Sequence, residues 1–242
     1  MLGRQRRSPE AGPGPTLRHE AVERGWRAPA EPDPVVRESF DDHVERLLGG
    51  DHWVWHEIVS DTVHLDVYRW PPTADRPFHT FVTSAMSDLP MTLPDGARQA
   101  GVTDLAELMV CLPADWPVPA WNESWDDAAY VPIRWLKNLA RLPSEYDTWL
   151  GYGHSIPNGD PAAPLAPGSW LVGWVLLPPL TLPAEARSVP LPDGRRIDLF
   201  AIVALTQAEL DRKLRGGVEA LFDGFEAAGV TEVLDLRRPS AL

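Results

Sequence analysis

The sequence predicts an α+β fold, a mixed and largely antiparallel β-sheet flanked by helices. Strand-like and helical runs follow one another without the regular βαβ alternation of a doubly wound fold. The two helices with the clearest start signals lie near opposite ends of the folded part. An apolar fraction of 44% with eleven tryptophans is ample for a core in 242 residues.

The elements follow in order. Asp33 can cap a helix that has Pro34 in its first turn and Gly49-Gly50 at its end, with Val36, Phe40, Val44, Leu47 and Leu48 as its apolar stripe. Strands are expected at Trp53 to Val59 and Val63 to Trp70, joined by a Ser60-Asp61 turn, then at Phe78 to Val82 and Glu107 to Leu112. In the second of these, Val63, Leu65 and Val67 share one face, and His64, Asp66 and Tyr68 the other, which predicts a half-buried strand with a polar side. A Pro- and Trp-rich loop from Pro113 to Trp125 leads into a helix around Pro132 to Leu142, on which Trp135 is expected to be buried. Strands at Trp170 to Leu177 and Arg196 to Leu205 complete the sheet. Thr206-Gln207-Ala208-Glu209 then forms a capping box. Behind it Leu210, Leu214, Val218, Leu221, Phe222 and Phe225 recur at helical spacing, and Gly216-Gly217 is a place to bend.

Charge divides the chain into an arm, residues 1–32, and a domain, residues 33–242. Residues 1–30 carry six Arg against three Glu among scattered Gly and Pro, which predicts a disordered basic arm, while the rest nets about −16. A domain so acidic is a poor candidate for direct nucleic-acid binding, which needs basic side chains in place of released counterions. It suits a basic protein partner, whose approach its field would accelerate. The single cysteine, Cys111, sits in an apolar run and reads as a buried structural thiol. No intrachain disulfide can form, no secretory h-region is visible, and the longest apolar run, Trp170 to Leu180, is broken by Pro178 and Pro179. The expectation is a cytoplasmic protein without a membrane span.

Several segments resemble the Suppressor-of-fused family, in its bacterial single-domain form. They are His64 and Asp66 in an H-x-D strand, the Pro71 to Thr73 turn, and the run Thr83 to Met91, where the family mostly carries Gly at the position of Ala85. Further segments are Glu107 to Trp116, Arg134 to Pro143, Gly153 to Pro157 and Asp235 to Arg238. The resemblance implies a non-catalytic protein-binding module, of the kind used by immunity proteins or antitoxins of polymorphic toxin systems. The partner it implies is a protein, such as a basic toxin, and no cofactor. The candidate binding surface comprises His64, Asp66, Tyr68, Thr83, Ser84, Met86, Ser87, Asp88 and Trp116.

Two other chemistries can be weighed on the same residues, and a scaffold role stands beside them. Ser84 and Ser87, with His64, His79 or His154 and a nearby Asp, could compose a hydrolase site. Thr-Ser-Ala-Met-Ser, however, lacks the G-x-S-x-G frame of a nucleophile elbow. His52, His56 and His64 would share a face on a strand, but neither H-E-x-x-H nor a Cys pair completes a zinc site. No metal site and no enzymatic role are therefore expected.

Overall fold

The computed structural model describes residues 33–56, 64–119 and 126–242; the arm, the Ser60-Asp61 turn, and Trp121 and Trp125 fall outside them. Among the described residues the order is α1 (Pro34–Leu48), β1 (Trp53–Trp55), β2 (Asp66–Trp70), β3 (Phe78–Ser84), α2 (Asp95–Gln99), β4 (Leu105–Pro113), α3 (Val131–Tyr146), β5 (Ser155–Pro157), β6 (Leu171–Leu177), β7 (Ser188–Pro190), β8 (Arg196–Thr206), α4 (Gln207–Gly216) and α5 (Phe222–Ala228). The sheet runs β1-β2-β3-β4-β8-β6-β5, with β7 also on β8. Its pairs are antiparallel apart from β4 and β8. The fold is thus the expected α+β type.

Both faces of the sheet are covered. α1 begins where Asp33 accepts from the Val35 N–H at 3.0 Å and ends at Gly49, whose φ of 94° favours glycine. Its stripe of Val36, Phe40, Val44 and Leu48 packs with Trp70, Val82, Met109 and Cys111. Ile133, Leu136 and Leu139 of α3 close the other face over Val67, Phe81, Leu108 and Val110. Strand alternation on β8 shows the layering: Ile197, Leu199 and Ala201 join the α1 cluster, Val203 and Leu205 join Leu210 of α4, and Phe200, Ile202 and Ala204 face α3.

The structure departs from the sequence reading at identifiable places. The polar face of β2 is not solvated, because α1 lies over it and the Tyr68 hydroxyl donates to Asp41 at 3.1 Å. Of the strand expected before it, the described residues show Trp53–Trp55, and 57–59 lie outside them; Trp170 stands outside β6 with 71% of its surface exposed. Trp135 is half-buried against Trp174, with ring centroids 6.4 Å apart, rather than fully buried. α3 runs on past Pro143 to Tyr146. The capping box of α4 forms with both its bonds, but Gly217, at φ 81°, ends that helix. A 3-10 turn at Val218–Leu221 and then α5 follow, leaving Leu214 and Phe222 largely exposed.

Three buried glutamates fasten irregular segments to this frame. Glu107 of β4 accepts the Ser87 N–H at 2.9 Å and the Ser87 O–H at 2.7 Å on Oε1, and the Thr83 O–H at 2.6 Å on Oε2. Between those donors Ala85 adopts φ 83°, which turns the chain into the 3-10 turn Met86–Asp88. Glu209 accepts from the Thr206 and Ala241 N–H groups and from both terminal nitrogens of Arg238, drawing the C-terminal residues onto α4. Glu232 accepts the N–H groups of Leu180 and Thr181 and the Thr181 hydroxyl, while its own backbone bonds Cys111 beside β4.

Burial outweighs the three donors and pushes the Glu107 carboxyl from its ordinary 4.5 up to about 7. A carboxyl whose folded value lies above its unfolded value stabilises the fold below pH 4.5 and loses that contribution as pH rises through about 7. Relative to Glu107→Gln, which cannot ionise, the wild type should lose stability across that window in urea denaturation; parallel profiles would contradict the burial of this charge. Glu107→Ala strands three donors and should cost about 3 kcal/mol or more. Ala85→Gly should instead stabilise by about 1 kcal/mol, because it relieves a left-handed residue.

Candidate functional site

Five of the sequence-predicted site residues gather at one corner of the sheet. Asp66 opens β2 opposite Ser84 of β3, Tyr68 lies two residues on, and Asp88 ends the 3-10 turn. His64 lies just outside β2. α1 closes over the corner and contributes Arg37 and Asp41. Asp41 accepts from Tyr68 at 3.1 Å and, more weakly, from Ser84 at 3.5 Å. Arg37 Nη2 donates to Asp88 Oδ2 at 2.6 Å. His56 Nδ1 lies 3.1 Å from Asp66 Oδ2, and His64 Nε2 lies 3.9 Å from Asp66 Oδ1.

Three carboxylates therefore converge on one arginine and two exposed imidazoles. Burial raises the Asp41 and Asp88 carboxyls above their ordinary range, against the opposing pull of Tyr68 on the first and Arg37 on the second. The side chains of Asp66 and Asp88 are only 8% and 7% exposed, yet among the described residues Oδ1 of each has no hydrogen-bond donor. A buried acceptor without a donor is costly.

The other predicted residues lie elsewhere. Thr83 and Ser87 turn inward to Glu107 and Met86 is buried in the main core, while Ser84, at the corner itself, is only 2% exposed. The Thr83 to Ser87 stretch is thus a packed foundation, not a contact surface, because the buried Glu107 draws its hydroxyls inward. Trp116 lies beyond the far end of β3, where Phe78 pairs with Pro113, about 20 Å along a seven-residue strand. It packs on the core, and its indole N–H donates to the Ala129 carbonyl at 3.0 Å. Sequence reasoning missed Arg37 and Asp41, whose only signal was their spacing one turn apart on α1.

Hydrolase chemistry finds no support in these contacts. Among the described residues no histidine bonds either serine: Ser84 faces Asp41 and Ser87 faces Glu107, whereas His79 accepts from Arg69 and His154 packs edge-on against Trp149 at 4.2 Å. His52 stacks on Tyr68 and Trp70, apart from the imidazoles at Asp66, and no group of three metal-ligating side chains occurs among the described residues. No helix among them is long and apolar enough to cross a membrane.

Comparison with known proteins gives a consistent result. The family model for Suppressor of fused protein (SUFU) matches residues 61–239. No curated protein matches the sequence. A solved structure described as a SUFU homologue from Neisseria gonorrhoeae is similar at 15% identity and a TM-score of 0.62, over 87% of this chain and 98% of that one. A chain of the Sufu-Fu complex is similar at 16% identity and a TM-score of 0.62, over 87% of this chain and 93% of that one. At such identities the likeness is one of fold.

The geometry ranks the two serines. Ser87→Ala removes a short bond to a buried carboxylate and should cost about 1–2 kcal/mol, whereas Ser84→Ala removes a long one and should cost about 0.5 kcal/mol. Urea denaturation at neutral pH measures both, and the reverse order would contradict the placement of Glu107.

Proposed function

This chain belongs to the Suppressor of fused family, and from that premise we propose that it is a non-catalytic protein-binding module whose acidic corner receives a basic side chain of its partner. The observation that carries the reading is the pair of buried, donorless oxygens on Asp66 and Asp88 beside exposed His56 and His64. An arginine, lysine or N–H group of a partner would supply the missing donors, and charge-assisted bonds of this kind are the strong ones. Residues 31–242, at a net charge near −16, would speed the encounter with a basic protein. The finer reading is an immunity-type protein of the cytoplasm that neutralises a basic toxin, with residues 33–242 as the acting domain and residues 1–32 as a basic arm.

The test uses the full chain and an arginine-rich peptide probe, compared with the Asp66→Asn/Asp88→Asn double variant. Binding should weaken with added salt and fall about tenfold in the double variant. Neither protein should turn over ester, phosphoester or amide substrates. Equal affinity in the two proteins, or turnover that vanishes in Ser84→Ala or Ser87→Ala, would overturn the reading. The immunity role is checked by whether the chain restores growth to cells making a basic toxin taken from its own genome; no rescue would overturn it.

A further inference from the structure

On the face of β2 opposite Asp66, Arg69 is buried, with 7% of its surface exposed. Its guanidinium carbon lies 4.5 Å from the ring centroid of Trp53 and 6.0 Å from that of Trp55. Nε and Nη2 both approach His79 Nδ1, at 3.3 and 3.2 Å. That acceptor is neutral: burial, and then the Arg69 charge, bring His79 down to about 4, and its other nitrogen is bonded to the Ala114 backbone. No carboxylate stands within ion-pair range of Arg69 among the described residues. By contrast, Arg37 sits on Asp88 and Arg238 on the buried Glu209.

A guanidinium taken out of water costs several kcal/mol unless an anion compensates it, and two indole faces with a neutral imidazole compensate it only in part. Arginine's planar fork fits a carboxylate in two parallel bonds, and Nη1 has no hydrogen bond among the described residues. Trp53, the nearer of the two rings, is 46% exposed, so its indole forms the outer wall along which an acidic side chain would reach the guanidinium.

We propose that Arg69, beneath Trp53 and Trp55, is the seat for one aspartate or glutamate side chain of the partner protein. This rests on the reading of the domain as a protein binder and deepens it, because the partner then carries both signs of charge. Its basic group goes to the Asp66 corner. Its acidic group goes to Arg69, three residues and about 10 Å along β2, on the opposite face.

The probe is a blocked heptapeptide of valine and threonine with a central glutamate, compared with the same peptide carrying glutamine, titrated calorimetrically into the full chain. The wild type should bind the glutamate peptide about tenfold more tightly. That preference should disappear in Arg69→Gln and in Trp53→Ala, the second being an exposed position that leaves the fold intact. Equal binding of the two peptides, a preference that survives both variants, or displacement of the peptide by a single-stranded oligonucleotide would overturn the proposal. Failure to bind the glutamate peptide while the arginine-rich probe still binds overturns the Arg69 seat alone. Failure to bind either peptide overturns the binding-module reading as well. A preference that persists in the Asp66→Asn/Asp88→Asn variant shows that the two sites act separately.

Discussion

The carboxylate of Glu107 is the constraint on which the corner of the sheet depends. It sits in the middle of β4, wholly buried, and collects donors from residues 20 and 24 positions earlier in the chain. Those donors bracket Ala85, whose left-handed backbone reverses the chain at the end of β3. The residue after Ser87 is Asp88, so the grip on Ser87 also sets where Asp88 stands and lets Arg37 of α1 reach it. A polar group this deep stabilises only when it is well supplied with donors, and here hydroxyl and amide donors reach both oxygens. Glu209 repeats the device at the C-terminal residues, and Glu232 holds the loop after β6 through Oε1 alone. All three segments are irregular, and each is fixed by a glutamate rather than by a ladder of backbone bonds.

The two faces of β2 are shaped differently. Asp66 and Arg69 lie on the same five-residue strand and project to opposite faces, one toward α1 and the other toward the tryptophans of β1. The acidic side is shaped by a helix laid over the strand. The cationic side is shaped by aromatic rings and a neutral histidine. β2 thereby carries opposite charges on its two faces, both less than fully compensated from within the described residues.

Much of the frame was legible in the sequence because its signals are local. Asp33 with Pro34, the box at Thr206 and Glu209, and the alternation along Ile197 to Leu205 each depend on neighbours a few residues apart. What escaped is non-local. Nothing near Thr83 or Ser87 shows that their hydroxyls turn inward, since the acceptor stands on another strand. The polar face of β2 looked solvated because the helix that covers it is far away in sequence. The helical period from Leu210 to Phe225 was real on average, yet one glycine at positive φ broke it and left Leu214 and Phe222 at the surface. Short elements such as α2, β5 and β7, of three to five residues, carry too little periodicity to be read.

The central claim is that Glu107 is a buried, fully donor-bound carboxyl that organises the segment from Thr83 to Asp88. The most direct measurement is a carbon-13 NMR titration of the glutamate side-chain carboxyls in the full chain, with the Glu107 signal assigned by its loss in Glu107→Gln. The account predicts a midpoint for this group near 7. A midpoint at the ordinary 4.5, together with Thr83 and Ser87 variants that leave it unmoved, would contradict it.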